Sequence, residues 1–133
     1  MSRLPGLQAL AEELTAEKLR HLLVRGFVVI DENALAVAST LHNPVFEQQV
    51  CGLGGKALQF LKQAQKDLDL SQCLYVWLAG VERNLAVIPV AENLYLVAVC
   101  DAAASPATAL VPLLSFSQRL TLRVLQSDLG SKP

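Results

Sequence analysis

The sequence predicts an α+β domain in which an antiparallel sheet carries helices on both faces, and three observations predict it. Residues 72–101 break into three apolar runs, 72–80, 84–91 and 94–101, separated by short polar breaks, which is the pattern of a three-stranded meander. Those runs are nearly solid instead of alternating: 94–100 offers no polar face to water, so such a strand is buried on both sides. Two long stretches earlier in the chain place apolar residues at three- and four-residue spacing, the stripe of helices able to cover a sheet.

Taken in order, residues 4–24 read as one helix. Leu7, Leu10, Ala11 and Leu14 form its stripe, and Leu19, Leu22 and Leu23 resume it. Thr15 between the halves suits either the interior of that helix or the cap of a second one, and Pro5 suits a first turn. Gly26 ends the helix, 27–31 is a strand, Glu32-Asn33 a turn and 34–39 the returning strand of a hairpin. Asn43-Pro44 then starts a second helix over 44–68, with asparagine at the cap and proline at the first position.

The stripe of that second helix comprises Val45, Phe46, Gln49, Val50, Leu53, Ala57, Phe60, Leu61 and Ala64, with Lys56, Lys62 and Lys66 toward the other side or the C-terminal end. Gly52, Gly54 and Gly55 lie inside it, at about 1 kcal/mol each relative to alanine. Either another helix approaches closely there, or the helix kinks at Gly54-Gly55. In the meander, Glu92-Asn93 is a two-residue turn and Pro89 requires a strand end, a bulge or an amide that faces no neighbour. After a small-residue connection, 102–109, a last helix begins between Pro106 and Pro112. Leu113, Leu114, Phe116, Leu120, Leu122, Val124 and Leu125 make it apolar almost all round, so it needs more than one covering surface.

The chain has 133 residues, room for one domain over 1–133, and no linker composition divides it. Hydrophobic residues make up 53% and charged ones 17%, against about 45–50% and about 25% in ordinary soluble domains. That apolar excess needs a destination. A membrane is not it: the longest uncharged run, 102–118, holds two prolines and falls short of the roughly 20 apolar residues of a span. Glu12 and Glu13 also spoil the opening segment as a signal-peptide core. A subunit interface fits better. The net charge of −1 and the absence of a basic patch argue against nucleic acid as the principal partner. Cys51, Cys73 and Cys100, an odd and scattered set, read as reduced core residues of a cytoplasmic protein.

No catalytic constellation emerges. Gly52-Leu-Gly-Gly-Lys56 is not a phosphate-cradling loop, since that motif requires glycine where Val50 stands and Ser or Thr where Ala57 stands. His21 and His42 are far apart without clustered acids, and read as surface or helix-end residues. Glu12-Glu13, Asp67-Asp69 and Glu82-Arg83 read as solvated ends and turns, and Tyr75 and Trp77 as core or interface residues on one strand face. The expectation is a protein that is not an enzyme, with no cofactor and no metal.

The element order, together with Val87-Ile-Pro-Val-Ala-Glu-Asn-Leu-Tyr-Leu-Val-Ala-Val-Cys-Asp101 and Arg25-Gly-Phe-Val-Val-Ile-Asp-Glu-Asn-Ala-Leu-Ala-Val-Ala-Ser39, resembles the roadblock family of dynein light chains and bacterial MglB-type regulators. The resemblance spans about 7–125; the glycine-rich 52–55 segment departs from it. It implies a three-layer α/β/α fold of profilin-like/roadblock topology, with a five-stranded antiparallel sheet in the order 2-1-5-4-3, the second helix on one face and the others opposite. It further implies a homodimer in which third strands pair edge to edge and second helices pack together. That places Phe46, Gln49, Val50, Leu53, Gly54, Ala57, Phe60, Cys73, Tyr75 and Trp77 at the interface. The function implied is a non-catalytic adaptor that binds a Ras-like small GTPase and controls its nucleotide state or location. The alternative is a structural dimerisation or sensory subunit, and a sensory domain would enclose a polar-lined cavity.

Overall fold

A computed structural model describes residues 4–69 and 75–126. Its elements are α1 (Leu4–Lys18), β1 (Val24–Asp31), β2 (Ala36–Ser39), α2 (Pro44–Asp67), β3 (Val76–Leu78), β4 (Arg83–Ala91), β5 (Leu94–Asp101) and α3 (Pro106–Gln126). The strands form one antiparallel sheet in the order β2-β1-β5-β4-β3. Alternate side chains of each central strand feed two separate cores. Phe27, Val29, Ala86, Ile88, Leu96 and Ala98 meet Leu10 and Leu14 of α1 and Leu113, Phe116 and Leu120 of α3. Val28, Ile30, Leu85, Val87, Val97 and Val99 meet Val50, Cys51, Ala57 and Leu58 of α2. The three-layer arrangement expected from solid apolar strands is the one observed.

The turn chemistry follows the sequence closely in the meander. Asn93 adopts φ 68, the left-handed conformation that a two-residue turn demands and asparagine tolerates. Pro89 lies at a register shift between Pro89 and Ala91, the bulge its missing donor required. Asn43 caps α2, its Oδ1 accepting from the Phe46 amide at 3.0 Å, with Pro44 at the first helical position. The α2 helix runs unbroken through its glycines, so it has no break at Gly54-Gly55.

Four features differ from expectation. The first helix ends at Lys18, not near residue 24, because the chain turns there: the amides of Arg20 and His21 donate to the carbonyls of Glu17 and Lys18. Leu19 and Leu22, which continue the helical spacing in sequence, are 80% and 95% exposed. Gly26 therefore sits within β1, beside a register shift, and does not end a helix. The first hairpin turn is longer than Glu32-Asn33, spanning 32–35, with Asp31 Oδ1 accepting from the amides of Asn33 and Leu35. Finally, α3 starts at Pro106 as expected but is buried on one face only, leaving Val111 and Leu122 exposed.

In that longer hairpin turn Ala34, not asparagine, takes φ 64. An L-residue with a Cβ pays about 1–2 kcal/mol there, and the site is tight, since a Cβ on Gly55 would stand 2.8 Å from the Ala34 Cβ. Ala34→Gly is expected to stabilise the protein by about 1 kcal/mol, read as a higher urea midpoint at unchanged slope. An unchanged or lower midpoint would show that the turn carries no such strain.

Candidate protein interface

Among the described residues, β3 at the edge of the sheet has a neighbour, β4, on one side only. Beside it, α2 and the β3–β4 turn enclose an open groove of about 580 Å³. Buried Val50 and Leu85 form its floor, and the more exposed Phe46, Leu53 and Leu78 its apolar walls. Asn84, the first residue of the run 84–91, holds the turn beside the groove. It is 5% exposed, donates to the Ala104 carbonyl at 2.8 Å, and accepts from the Gly80 amide at 2.9 Å, pinning the turn to the segment leading into α3.

Of the ten residues expected at an interface, seven lie on α2 and divide by the side of the helix on which they fall. Val50, Gly54 and Ala57 face the protomer's own sheet and are buried there. A Cβ on Gly54 would lie 3.1 Å from both Ile30 Cδ1 and Val97 Cγ2, so this glycine accommodates the sheet, not a second helix. Gln49, Leu53 and Phe60 are exposed, Phe60 by 69%, while Phe46 is half-buried under the Arg83 guanidinium, 4.9 Å from its ring centroid. Tyr75 and Trp77 are half-buried and pack toward the α1/α3 core, so they share a face of β3 but not the face that carries α2. Cys73 lies outside the described residues.

Gly52 belongs to the exposed set. A Cβ there would meet nothing within 4 Å. This glycine weakens α2 by about 1 kcal/mol with no compensating contact in its own protomer.

On the α1/α3 side, Glu17 has a side chain only 5% exposed and accepts from Arg119 Nη1 and Nη2 at 3.2 and 3.1 Å. It also binds His21, and Arg20 lies 3.5 Å away. Burial pushes the Glu17 carboxyl up, but the Arg119 guanidinium and His21 outweigh it and hold the group below its ordinary value of 4.5. An ionised carboxylate only accepts, so His21 Nε2 carries a hydrogen. His21 is 12% exposed and edge-on to Phe27, which places it in the packing instead of on the surface. Arg123 meets Glu13 at 2.8 Å, so Glu13 is paired and not merely solvated. On the α2 side, where both line a small pocket with Phe46, Arg25 pairs with Asp101, whose carboxyl is held down by the Ala103 amide and then by Arg25.

Cys51 and Cys100 are buried, and burial raises both thiols, Cys100 to about 11. Among the described residues no group of three or more His, Cys, Asp or Glu is placed to hold a metal, and no helix is long and apolar enough to cross a membrane.

No family model and no curated protein sequence matches the chain. Its fold, however, matches solved structures. A roadblock/LC7 domain from Streptomyces avermitilis superposes with TM-score 0.75 at 14% identity, over 87% of this chain and 94% of that one. An MglB in a tetrameric arrangement gives TM-score 0.76 at 18% identity, over 91% of each chain. Myxococcus xanthus MglB gives 0.72 at 15% identity, over 91% of this chain and 96% of that one. With strand order, layer assignment and nearly full-length superposition in agreement, the chain has the roadblock/LC7 fold.

Proposed function

We propose that the chain is a single roadblock-like unit acting as a non-catalytic, homodimeric adaptor in the cytoplasm, where it binds a Ras-like small GTPase and controls its nucleotide state or location. The observation that carries this reading is the free β3 edge lying beside an apolar groove and the exposed stripe of α2. Edge strands left open invite pairing, and a second copy joined there would continue the sheet across a two-fold. The exposed stripe Gln49, Leu53 and Phe60 then meets its own copy, and Gly52 allows the helices to approach. The tetrameric arrangement of an MglB of the same fold supports self-association. The GTPase supplies the reacting groups in this reading, and the adaptor supplies a surface.

One experiment tests both halves: light scattering over a dilution series, with and without a panel of Ras-like GTPases loaded with GDP or a GTP analogue. Wild type is expected to be a dimer and to form a complex with one GTPase. Leu53→Glu combined with Phe60→Glu is expected to be a folded monomer, with association weakened at least tenfold. A wild-type monomer sinks the dimer, whereas a dimer that binds no GTPase and alters no GTP hydrolysis leaves the structural-subunit reading in its place.

A further inference from the structure

Among the described arginines, Arg83 is the exception: Arg20, Arg25, Arg119 and Arg123 each meet a carboxylate, whereas Arg83 lies over the Phe46 ring with no ion pair. Lys56, on the opposite wall of the same groove, also lacks an ion pair among the described residues. The groove lining holds these two cations and no Asp or Glu. Both are exposed. The cationic, apolar strip is this groove and not the whole α2 side, since Arg83 also borders a smaller pocket with Glu82 and the paired Arg25 and Asp101.

A two-fold interface sets a surface against itself, and a strip with cations but no carboxylates cannot neutralise its own copy. In the dimer proposed above, Lys56 and Arg83 from both protomers would therefore stay at the solvated rim, where charge steers and selects partners. We propose that this rim docks an acidic, apolar segment of a partner protein, with carboxylates on Lys56 and Arg83 and an apolar side chain against Leu78. This deepens the adaptor reading and rests on it for the identity of the partner, though not for the chemistry of the site. Nucleic acid fits less well: two cations per chain, a net charge of −1 and a single aromatic ring in the lining, already covered by Arg83, make a poor phosphate track.

The test uses fluorescence anisotropy of the full chain with a short labelled peptide of alternating glutamate and leucine, a matched lysine-leucine peptide, a single-stranded oligonucleotide and phosphatidylserine vesicles. Saturable binding of the glutamate peptide alone is expected, weakening as salt rises. Lys56→Glu with Arg83→Glu should lose at least tenfold and turn its preference to the lysine peptide. Lys56→Glu alone, at an exposed position without an ion pair, gives the same direction if the double variant does not fold. Equal binding by wild type and variant, no binding of the glutamate peptide, or preference for the oligonucleotide or vesicles overturns the proposal. Because the peptide stands in for no particular GTPase, a failed GTPase screen leaves this result readable by itself.

Discussion

Gly54→Leu is expected to destabilise the folded protomer by about 3 kcal/mol, because even the first added carbon would crowd Ile30 Cδ1 and Val97 Cγ2 at 3.1 Å. Both neighbours belong to central strands and are buried, so neither can swing into solvent. The helix must lift off the sheet, opening the core that Val50, Ala57 and Leu58 close. Gly52→Ala, one half-turn away, should do the reverse in the protomer: its Cβ enters open space, and the helix gains about 1 kcal/mol of propensity. The proposed dimer inverts the ranking for association, since the methyl group added by Gly52→Ala separates the approaching helices while Gly54 is hidden from them. Urea unfolding together with light scattering on both variants decides it. If Gly54→Leu unfolds at the wild-type midpoint, the sheet-facing role of Gly54 is wrong. If Gly52→Ala leaves dissociation unchanged, α2 does not cross its copy at Gly52.

The contrast between these two glycines shows where sequence reading stops. Asn93, Asn43-Pro44 and the solid strands are legible because each is a local rule: a backbone conformation, a cap, a burial pattern. The face of α2 is a relational property. Positions 50, 54, 57, 58 and 61 form the buried stripe, while 49, 53, 56 and 60 form a second one that is exposed. Taken as a single broad stripe, the two merge, and Val50, Gly54 and Ala57, expected at an interface, are found buried against their own sheet. The same ambiguity misplaces Leu19 and Leu22, whose spacing is helical but whose segment turns away after Lys18. Arg83, read as a turn residue, and Asn84, read as the start of a run, carry no signal of their contacts, because these arise only when the β3–β4 turn comes beside α2 and the segment leading into α3.

The Glu17–Arg119 pair joins residues 102 positions apart, with no local pattern to announce it, yet it yields the other large effect. Arg119→Leu is expected to cost about 3 kcal/mol near neutral pH, because it takes the two-pronged partner from a carboxylate that is only 5% exposed, leaving it to His21 and Arg20, and removes the guanidinium from above Phe116. The pH dependence separates this cause from lost packing. In wild type the folded-state pKa of Glu17 is depressed, so its stabilisation is complete above 4.5 and disappears as pH falls through the folded value. Without Arg119, burial is no longer opposed by its largest partner and pushes the carboxyl upward. The depression that stabilises the fold above 4.5 shrinks accordingly, so the variant gains less stability than wild type as pH rises through that range. The gap between wild type and Arg119→Leu should therefore be widest near neutrality and narrow below 4.5. Arg119→Lys, which keeps the charge but not the two-pronged geometry, should fall between them. A gap that stays constant across that range in urea unfolding would assign Arg119 to packing on Phe116 alone and remove the carboxylate from the account.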